Sequence, residues 1–444
     1  MREGSLEPPV RHPLDWRNPD FYDAEKVDAE TRRVFEICHG CRRCFNLCAS
    51  FPRLFDLIDA AGAAEVAGVP SAAFETVVDA CTLCDMCFMT KCPYVPPHSF
   101  DLDFPHLMLR SRAAKLRAGG GGFVEGQLTE TDRNGRLASM VAPLANWATG
   151  TGNRLTRPLL EKVADVHRDA PLPRYHGKTL MARRADAPRR NADAPARDRK
   201  AVIYATCFGN YNDPRIGVAA LGVLARNGVT TEMAYPGCCG MPQLERGDIA
   251  RVARSAETVA AGLARWVKDG WDVVTLVASC ALMMKFEWPL ILPDNKAVQL
   301  LADSTFDIAE YVVDIARHEG LAPGMRPLDG GVTVHLACHA RAQNVGAKGA
   351  ELLRLIPEAE ISVVERCSGH GGTWGIKTEN YPVAHQVGKA AVHQIARNDQ
   401  RYLVSECPLA VMHLMDGLGR REGERAAPPV AAHPVELMAR AYGL

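Results

Sequence analysis

Two runs of cysteine constrain this chain more than any other feature in it. CHGCRRCFNLC sets thiols at Cys38, Cys41, Cys44 and Cys48, and CTLCDMCFMTKCP sets them at Cys81, Cys84, Cys87 and Cys92. Three thiols at C-x2-C-x2-C stand on one tight loop and can grip three corners of an iron–sulfur cube. Structural zinc asks for another spacing, two C-x2-C pairs across a longer spacer. A third cysteine at the same short interval, twice over, is surplus to that need. The stretch from Cys38 to Cys92 therefore predicts two clusters, not two zinc knuckles.

Composition narrows the setting. The chain is long enough for several cored domains, at 444 residues. Lys plus Arg and Asp plus Glu both number 52, so no net field points to nucleic acid or an acidic membrane. Fifteen cysteines in a secreted chain would imply disulfides, but at metal-ligand spacings they favour a reducing cytoplasm. The opening MREGSLEPPVRHPLDW has no apolar core of the secretory kind, so no leader is expected. The most apolar run, WDVVTLVASCALMM, meets Lys285 and Glu287 before it reaches the ~18–20 residues a span requires. No transmembrane segment is expected, and any membrane association is peripheral, at the inner face and through a partner.

Taken in order, residues 1–30 are polar and proline-containing, suited to wrapping the cysteine module. Apolar spacing predicts helices over 28–37, 51–60, 71–80 and 106–118. The glycines at 119–122 lack G-x-G-x-x-G spacing and follow no strand, so they read as a turn and not a phosphate loop. Two more helices are expected at 137–149 and 157–166, as a packed connector. Residues 182–200, rich in Ala, Arg, Pro and Asp, read as a linker or long exposed loop.

From residue 201 the chain repeats itself. AVIYATC, ending at Cys207, leads through a helix at 215–226 and VTTEMAY to Cys238 and Cys239. A long amphipathic helix and DVVTLVASC then end at Cys280. GVTVHLAC, ISVVERC and RYLVSEC end likewise at Cys338, Cys367 and Cys407, with a helix at 381–397 between the last two. Intervals between these cysteines are 31 and 42 residues in the first copy and 29 and 40 in the second, which argues duplication. Alternating strands and helices predict a parallel sheet in each copy, with the cysteines gathered beyond its strand ends. His335, His339 and His370 lie beside the second set, either as ligands or proton carriers or as satisfied polar residues.

The doubled C-x2-C-x2-C pattern resembles two-cluster ferredoxins, where the distant fourth cysteine ligates the other cluster. That resemblance implies one [4Fe–4S] cluster on Cys38, Cys41, Cys44 and Cys92, and a second on Cys81, Cys84, Cys87 and Cys48. Pro93 follows Cys92 as that pattern expects, whereas Cys48 reaches Pro52 only later. The flanking helices point to the helical variety of ferredoxin. With PGCCGMP, ACHARAQNVG, CSGHGGTWGIKTENYP and SECPLA, nearly the whole chain resembles the C subunit of anaerobic glycerol-3-phosphate dehydrogenase. Its repeats also resemble the B subunit of heterodisulfide reductase, with domains named for the Cys-Cys-Gly (CCG) motif. The chain is similar, too, to a rubrerythrin-associated subgroup of iron–sulfur oxidoreductases.

The resemblance implies an α+β multidomain chain. A two-cluster module (1–100) and a helical connector (101–200) precede two duplicated α/β cysteine-rich domains with parallel sheets, at 201–325 and 326–444. It implies electron transfer to or from a redox site in the duplicated half, with a flavoprotein, a rubrerythrin-like protein or a quinone-linked acceptor as partner. The alternative is a self-sufficient quinone- or thiol-reducing oxidoreductase of the heterodisulfide type. Cys207, Cys238, Cys239 and Cys280 would hold a further cluster or zinc, and Cys338, Cys367 and Cys407 another cluster. Two departures stand out: each terminal C-x2-C is a single cysteine, and Cys367-Ser368 replaces the second Cys-Cys pair. No Rossmann fingerprint is present, so no flavin or NAD of the chain's own is expected.

Overall fold

The computed structural model describes residues 8–421 and 428–444. Its helical first part begins where Asp23 caps the helix Ala24–Cys41, its carboxylate accepting from Lys26 N at 2.9 Å. Val27, Thr31, Val34 and Phe35 recur at helical spacing and are buried. Arg42 ends the helix in the left-handed conformation (φ 52°), which turns the chain toward Cys44. Phe35 packs edge-on to Phe74 at 5.1 Å, and Phe104 lies 4.7 Å from Phe51. These rings knit Ala24–Cys41, Ser50–Ala60 and Phe104–Arg117 around the cysteine loops. The helix expected at 71–80 is a 3-10 turn, Ser71–Phe74, followed by Glu75–Ala80. Before residue 200 the described chain forms no strand beyond an isolated bridge from Val166 to Lys377.

The duplicated half builds two four-stranded, wholly parallel sheets. The first has β1 (Lys200–Tyr204), β2 (Thr230–Ala234), β3 (Asp272–Thr275) and β4 (Thr305–Asp307), in the order β2-β1-β3-β4. The second has β5 (Val332–His335), β6 (Ile361–Val364), β7 (Tyr402–Val404) and β8 (Val430–Ala432), in the order β6-β5-β7-β8. Identical order in both is the duplication read in space. Each order reverses beside its first strand, opening a crevice at the carboxyl edge. The two units pack reciprocally. The helix Pro214–Arg226 of the first lies on Pro434–Tyr442 of the second, and Ile308–His318 of the first lies on Lys348–Leu353 of the second.

Several expectations change. The strands end before their cysteines, which instead open or occupy the elements that follow: β1 stops at Tyr204 ahead of Cys207, and β3 at Thr275 ahead of Cys280. β4 and β8 had no sequence signal, since three residues are too few to show a period. The helix expected over 137–149 is two, Thr131–Met140 and Ala142–Thr149, because Pro143 lacks an amide hydrogen and restarts the turn. The linker at 182–200 is not a free loop: Ala194 and Ala196 are buried, and Asn191 N donates to Ala225 O at 2.9 Å. Nor does the connector pack fully, for Met140 and Leu155 stand 72% and 80% exposed. No helix of the described residues is long and apolar enough to cross a membrane.

A buried ion network locks the parts together. Arg11, on the N-terminal arm, reaches Asp85 at 2.7 Å, Asp103 at 2.8 Å and Glu287 at 3.1 Å. His106 lies 3.2 Å from Glu287 and 3.3 Å from Asp103. Asp85 belongs to the cysteine loop and Glu287 to the first duplicated unit, so one guanidinium spans arm, module and repeat. Removing one member of a buried set leaves its partners charged and desolvated. Arg11→Ala is therefore expected to cost about 3–5 kcal/mol, read as a lower midpoint in chemical denaturation.

Burial and Arg11 push the His106 ring down, but Asp103 and Glu287 outweigh them and hold it above its ordinary value. Burial opposes ionisation of Asp103 and Glu287, yet His106 and Arg11 keep both below theirs. The histidine's contribution is full below about pH 6.5 and lost as pH rises through its raised value. That of the carboxylates is lost as pH falls through their lowered values. Denaturation midpoints of the native chain should fall as pH rises through the raised value of His106, and His106→Gln should flatten the fall.

Candidate metal centres

The last turn of Ala24–Cys41 carries Cys38 and Cys41, and the turn after it carries Cys44. These three thiols and Cys92 line one cavity, walled by Phe51, Phe55, Tyr94 and Leu102, with Arg43 and Lys91 also in its lining. Burial pushes Cys38 well up, and Cys92, Cys44 and Cys41 push it further. Burial, then Cys92 and Cys41, pushes Cys44 up to about 12.

Cys48 answers to the other loop, pushed up to about 12 by burial and then by Cys81. Cys87 is pushed well up by burial, then by Cys84 and Cys81, with Cys44 and Cys48 beyond them. Arg112 holds this second loop by donating to Val78 O at 2.7 Å and to Cys81 O. Cys38, Cys41, Cys44 and Cys92 thus share one cavity as a first quartet, and Cys48 neighbours Cys81, Cys84 and Cys87, the second quartet expected from the sequence.

In the first duplicated unit, Cys207 follows β1 at the mouth of a π-turn, Phe208–Asn212. Cys238 and Cys239 follow β2, and Cys280 lies in the helix Ala278–Leu282 beyond β3. The sulfurs meet in pairs, Cys238 with Cys207 at 3.8 Å and Cys239 with Cys280 at 3.2 Å. Thr131 of the connector covers them, its hydroxyl 3.6 Å from Cys207 Sγ and 3.5 Å from Cys238 Sγ. Cys238 is held far below the ordinary thiol range by its contacts with Cys207 and Cys239, with Gly240 N–H and Thr131 adding to them. Asp132 accepts from Tyr235 at 2.7 Å and from Tyr211 at 3.1 Å, fixing the rings beside the site. Among the described residues, no three or more His, Cys, Asp or Glu side chains gather as one metal ion would require.

The second unit repeats the backbone of the first. Gly240 N donates to Cys238 Sγ at 3.5 Å, and Gly369 N to Cys367 Sγ at 3.4 Å. Both glycines have positive φ (88° and 81°), and a Cβ on Gly369 would fall 2.0 Å from Ala384 O. The third letter of the repeated motif must therefore be glycine. Ser368, where the first unit has Cys239, accepts from His370 N at 3.4 Å. Cys338 opens the helix Cys338–Ala342, and Cys407 precedes Pro408–Gly419. Burial pushes Cys338 up, followed by Cys367 and Cys407.

This second set faces the second quartet. After burial, Cys338, Cys48 and Cys367 are what push Cys84 up. His339 stands where the sites meet: Nε2 is 3.3 Å from Leu83 O, and Nδ1 is 2.8 Å from Ser279 Oγ. A carbonyl only accepts, so Nε2 carries the proton and Nδ1 accepts from the serine. Both ring nitrogens of His339 are thereby engaged. His335 is also satisfied, by Ser405 Oγ at 3.3 Å and Arg366 O at 3.0 Å. Burial pushes the His370 ring down to about 3, with His413 and His339 adding to it. Sequence reasoning missed Thr131, Asp132, Ser279 and the buried Glu245, which burial pushes up to about 7. Thr131 and Asp132 lie in no motif, and Ser279 and Glu245, though close in sequence to Cys280 and Cys239, act on the second set, through His339 and beside Cys407.

Comparison with known proteins agrees with this arrangement. The cysteine-rich domain family CCG matches residues 201–285 and 332–415. The C subunit of anaerobic glycerol-3-phosphate dehydrogenase of Escherichia coli is 27% identical over 318 residues, 71% of this chain and 76% of that protein. The B subunit of fumarate reductase (CoM/CoB) of Methanothermobacter marburgensis is 27% identical over 246 residues, 54% of this chain and 46% of that protein. Lactate utilization protein A of Bacillus cytotoxicus is 25% identical over 237 residues, 50% of this chain and 94% of that protein. Two of these three are named as subunits. Residues 201–285 and 332–415 are thus two copies of the cysteine-rich CCG domain, in a chain similar to proteins named as subunits of oxidoreductases.

Proposed function

We propose that this chain is a relay in which residues 1–100 hold two [4Fe–4S] clusters and exchange electrons with the cysteine sites of residues 201–325 and 326–444. Cys38, Cys41, Cys44 and Cys92 are the ligands of one cluster, and Cys81, Cys84, Cys87 and Cys48 of the other. The observation that carries the reading is the junction at His339, which ties Leu83, between two thiols of the second quartet, to Ser279, next to Cys280. The donor sets fit such groups, since soft thiolates suit iron and the first quartet lies in a largely apolar wall. When bound, a [4Fe–4S] cluster gains or loses one electron at a time.

The chain's own residues supply the setting. Arg112 fixes the second loop, and neutral His339 bridges the sites without adding charge. Cys207, Cys238, Cys239 and Cys280 hold a further cluster beneath Thr131. Cys338, Cys367 and Cys407 hold another, its fourth position left to His370 or an exogenous ligand. A partner of flavoprotein, rubrerythrin-like or quinone-linked kind supplies or takes the electrons. Free thiols in such number suit the reducing cytoplasm, at the inner face of the membrane where the partner is there.

Three measurements test this. Cys92→Ser should perturb the same EPR signal as Cys41→Ser; if it perturbs the signal lost in Cys84→Ser, the crossed ligand sets are wrong. Cys338→Ala should lower the iron content of anaerobically reconstituted protein by one cluster's complement. An unchanged count and spectrum would leave the second site vestigial. Finally, the isolated chain with dithionite as donor should not turn over quinone or disulfide, and turnover by the chain alone would favour the self-sufficient oxidoreductase.

A further inference from the structure

The first quartet is the more open of the two. Cys38, Cys41, Cys44 and Cys92 are all partly exposed, whereas Cys81 and Cys87 of the second are buried. Next to Cys44 the chain sets Phe45 on the surface, 57% exposed. Its ring lies parallel to that of Phe55, centroids 6.2 Å apart, and Phe55 walls the cavity that the four thiols share. The Arg42 guanidinium lies over the same Phe55 ring at 5.2 Å. One exposed ring is ordinary by itself. Here it stands at the mouth of a candidate redox centre, and among cations.

Charge decides what the face contacts. Arg42, Arg43 and Lys91 are all exposed around this mouth. Arg42 is answered by Asp59, which also takes His39 at 2.8 Å, and Asp56 lies near it. Arg43 and Lys91 line the cavity, and neither pairs with a carboxylate among the described residues. Both lie close enough to Cys44 to oppose the rise that burial imposes on it, Lys91 the more. A second copy of the chain set here by a two-fold axis would bring Arg43 and Lys91 against themselves. The complement of unpaired cations around an exposed ring is an acidic protein face with an apolar centre.

We propose that this face is the port at which a small acidic one-electron carrier protein docks, with Phe45 at the centre of the contact and Arg43 and Lys91 paired with the carrier's carboxylates. The proposal rests on the relay reading for its electron and adds to it the face and the charge of the partner. In the transfer, one electron leaves the reduced carrier and enters the oxidised cluster of Cys38, Cys41, Cys44 and Cys92, with no bond made or broken and no proton moved. Redox encounters of this kind bury little surface, so two cations and one ring suffice for recognition while electrostatic steering sets the rate.

The test mixes the full holoprotein in stopped flow with a reduced acidic [2Fe–2S] ferredoxin as probe. The second-order rate constant should fall by roughly tenfold as salt is raised, and Arg43→Gln with Lys91→Gln should lower it by about tenfold at low salt. Basic cytochrome c, offered to the reduced holoprotein, should react slowly at low salt and faster as salt rises. Carbodiimide should join Lys91 to a ferredoxin carboxylate, read by mass spectrometry, whichever clusters are bound. The proposal is overturned if the ferredoxin rate ignores salt, if the double variant reacts as the native chain does, or if Lys91 stays free of cross-links. Where the double variant fails to load its clusters, the salt dependence and cross-link of the native chain decide. A native dimer that Phe45→Asp converts to monomer in sedimentation velocity also overturns it, for then a second copy covers the face. Holoprotein with no EPR signal sensitive to Cys41→Ser fails the relay reading instead, and the cross-link still decides the docking.

Discussion

Thiolates at close quarters repel, and the layout of this chain follows from that repulsion. Cys38, Cys44, Cys48, Cys84 and Cys87 are each pushed up by burial and by neighbouring thiols. Left to themselves such thiols stay protonated, whereas a bound metal centre inverts the balance and takes them as thiolates. Metal binding is then coupled to deprotonation, and the loops gain order from it. The scaffold must hold those loops near position by means that need no metal. It does so with aromatic packing, in which Phe35, Phe51, Phe74 and Phe104 join three helices by ring contacts.

The Arg11 network serves the same end through charge. One guanidinium and one histidine face Asp85, Asp103 and Glu287, with a carboxylate in excess. Such a network is weak evidence of net stability, because desolvation offsets much of its Coulomb gain. What it does supply is registry: only one placement of arm, cysteine loop and first CCG domain satisfies every member. Asp85 also stands between Cys84 and Cys87 in sequence, so the network fixes the loop at the point where the second quartet turns.

How much of this could be read beforehand depended on whether the signal was local. The C-x2-C-x2-C runs, the amphipathic helices and the duplicated strand–cysteine intervals are local or periodic, and fold and domain type followed from them. The strand ends did not. Cys280 looked like the last residue of DVVTLVASC, yet β3 stops at Thr275 and the thiol rides on the helix after it. Apolar residues continue through both elements, so the change from strand to helix leaves no mark. The connector failed for another reason. Its spacing gave helices correctly, but spacing cannot say whether an apolar face meets protein or solvent. Ser279, Glu245 and Thr131 were invisible because each acts across the fold, at a separation no motif spans.

The two CCG domains share a backbone and differ in surroundings, and the difference bears on their chemistry. In both, a glycine in the left-handed region aims its N–H at the first thiol of the motif. The first domain adds Cys239 and lies under Thr131. The second has Ser368 instead and lies against Cys84 and Cys48, where further thiolate charge would meet the most opposition. A hydroxyl in that place keeps the hydrogen bond to His370 N and adds no anion. On the relay reading, the set that faces Cys84 and Cys48 carries three thiols, and the set of four lies beneath the connector. Serine in that place adds no like charge to a crowded site, and it makes the two copies unequal in thiols while leaving them equal in fold.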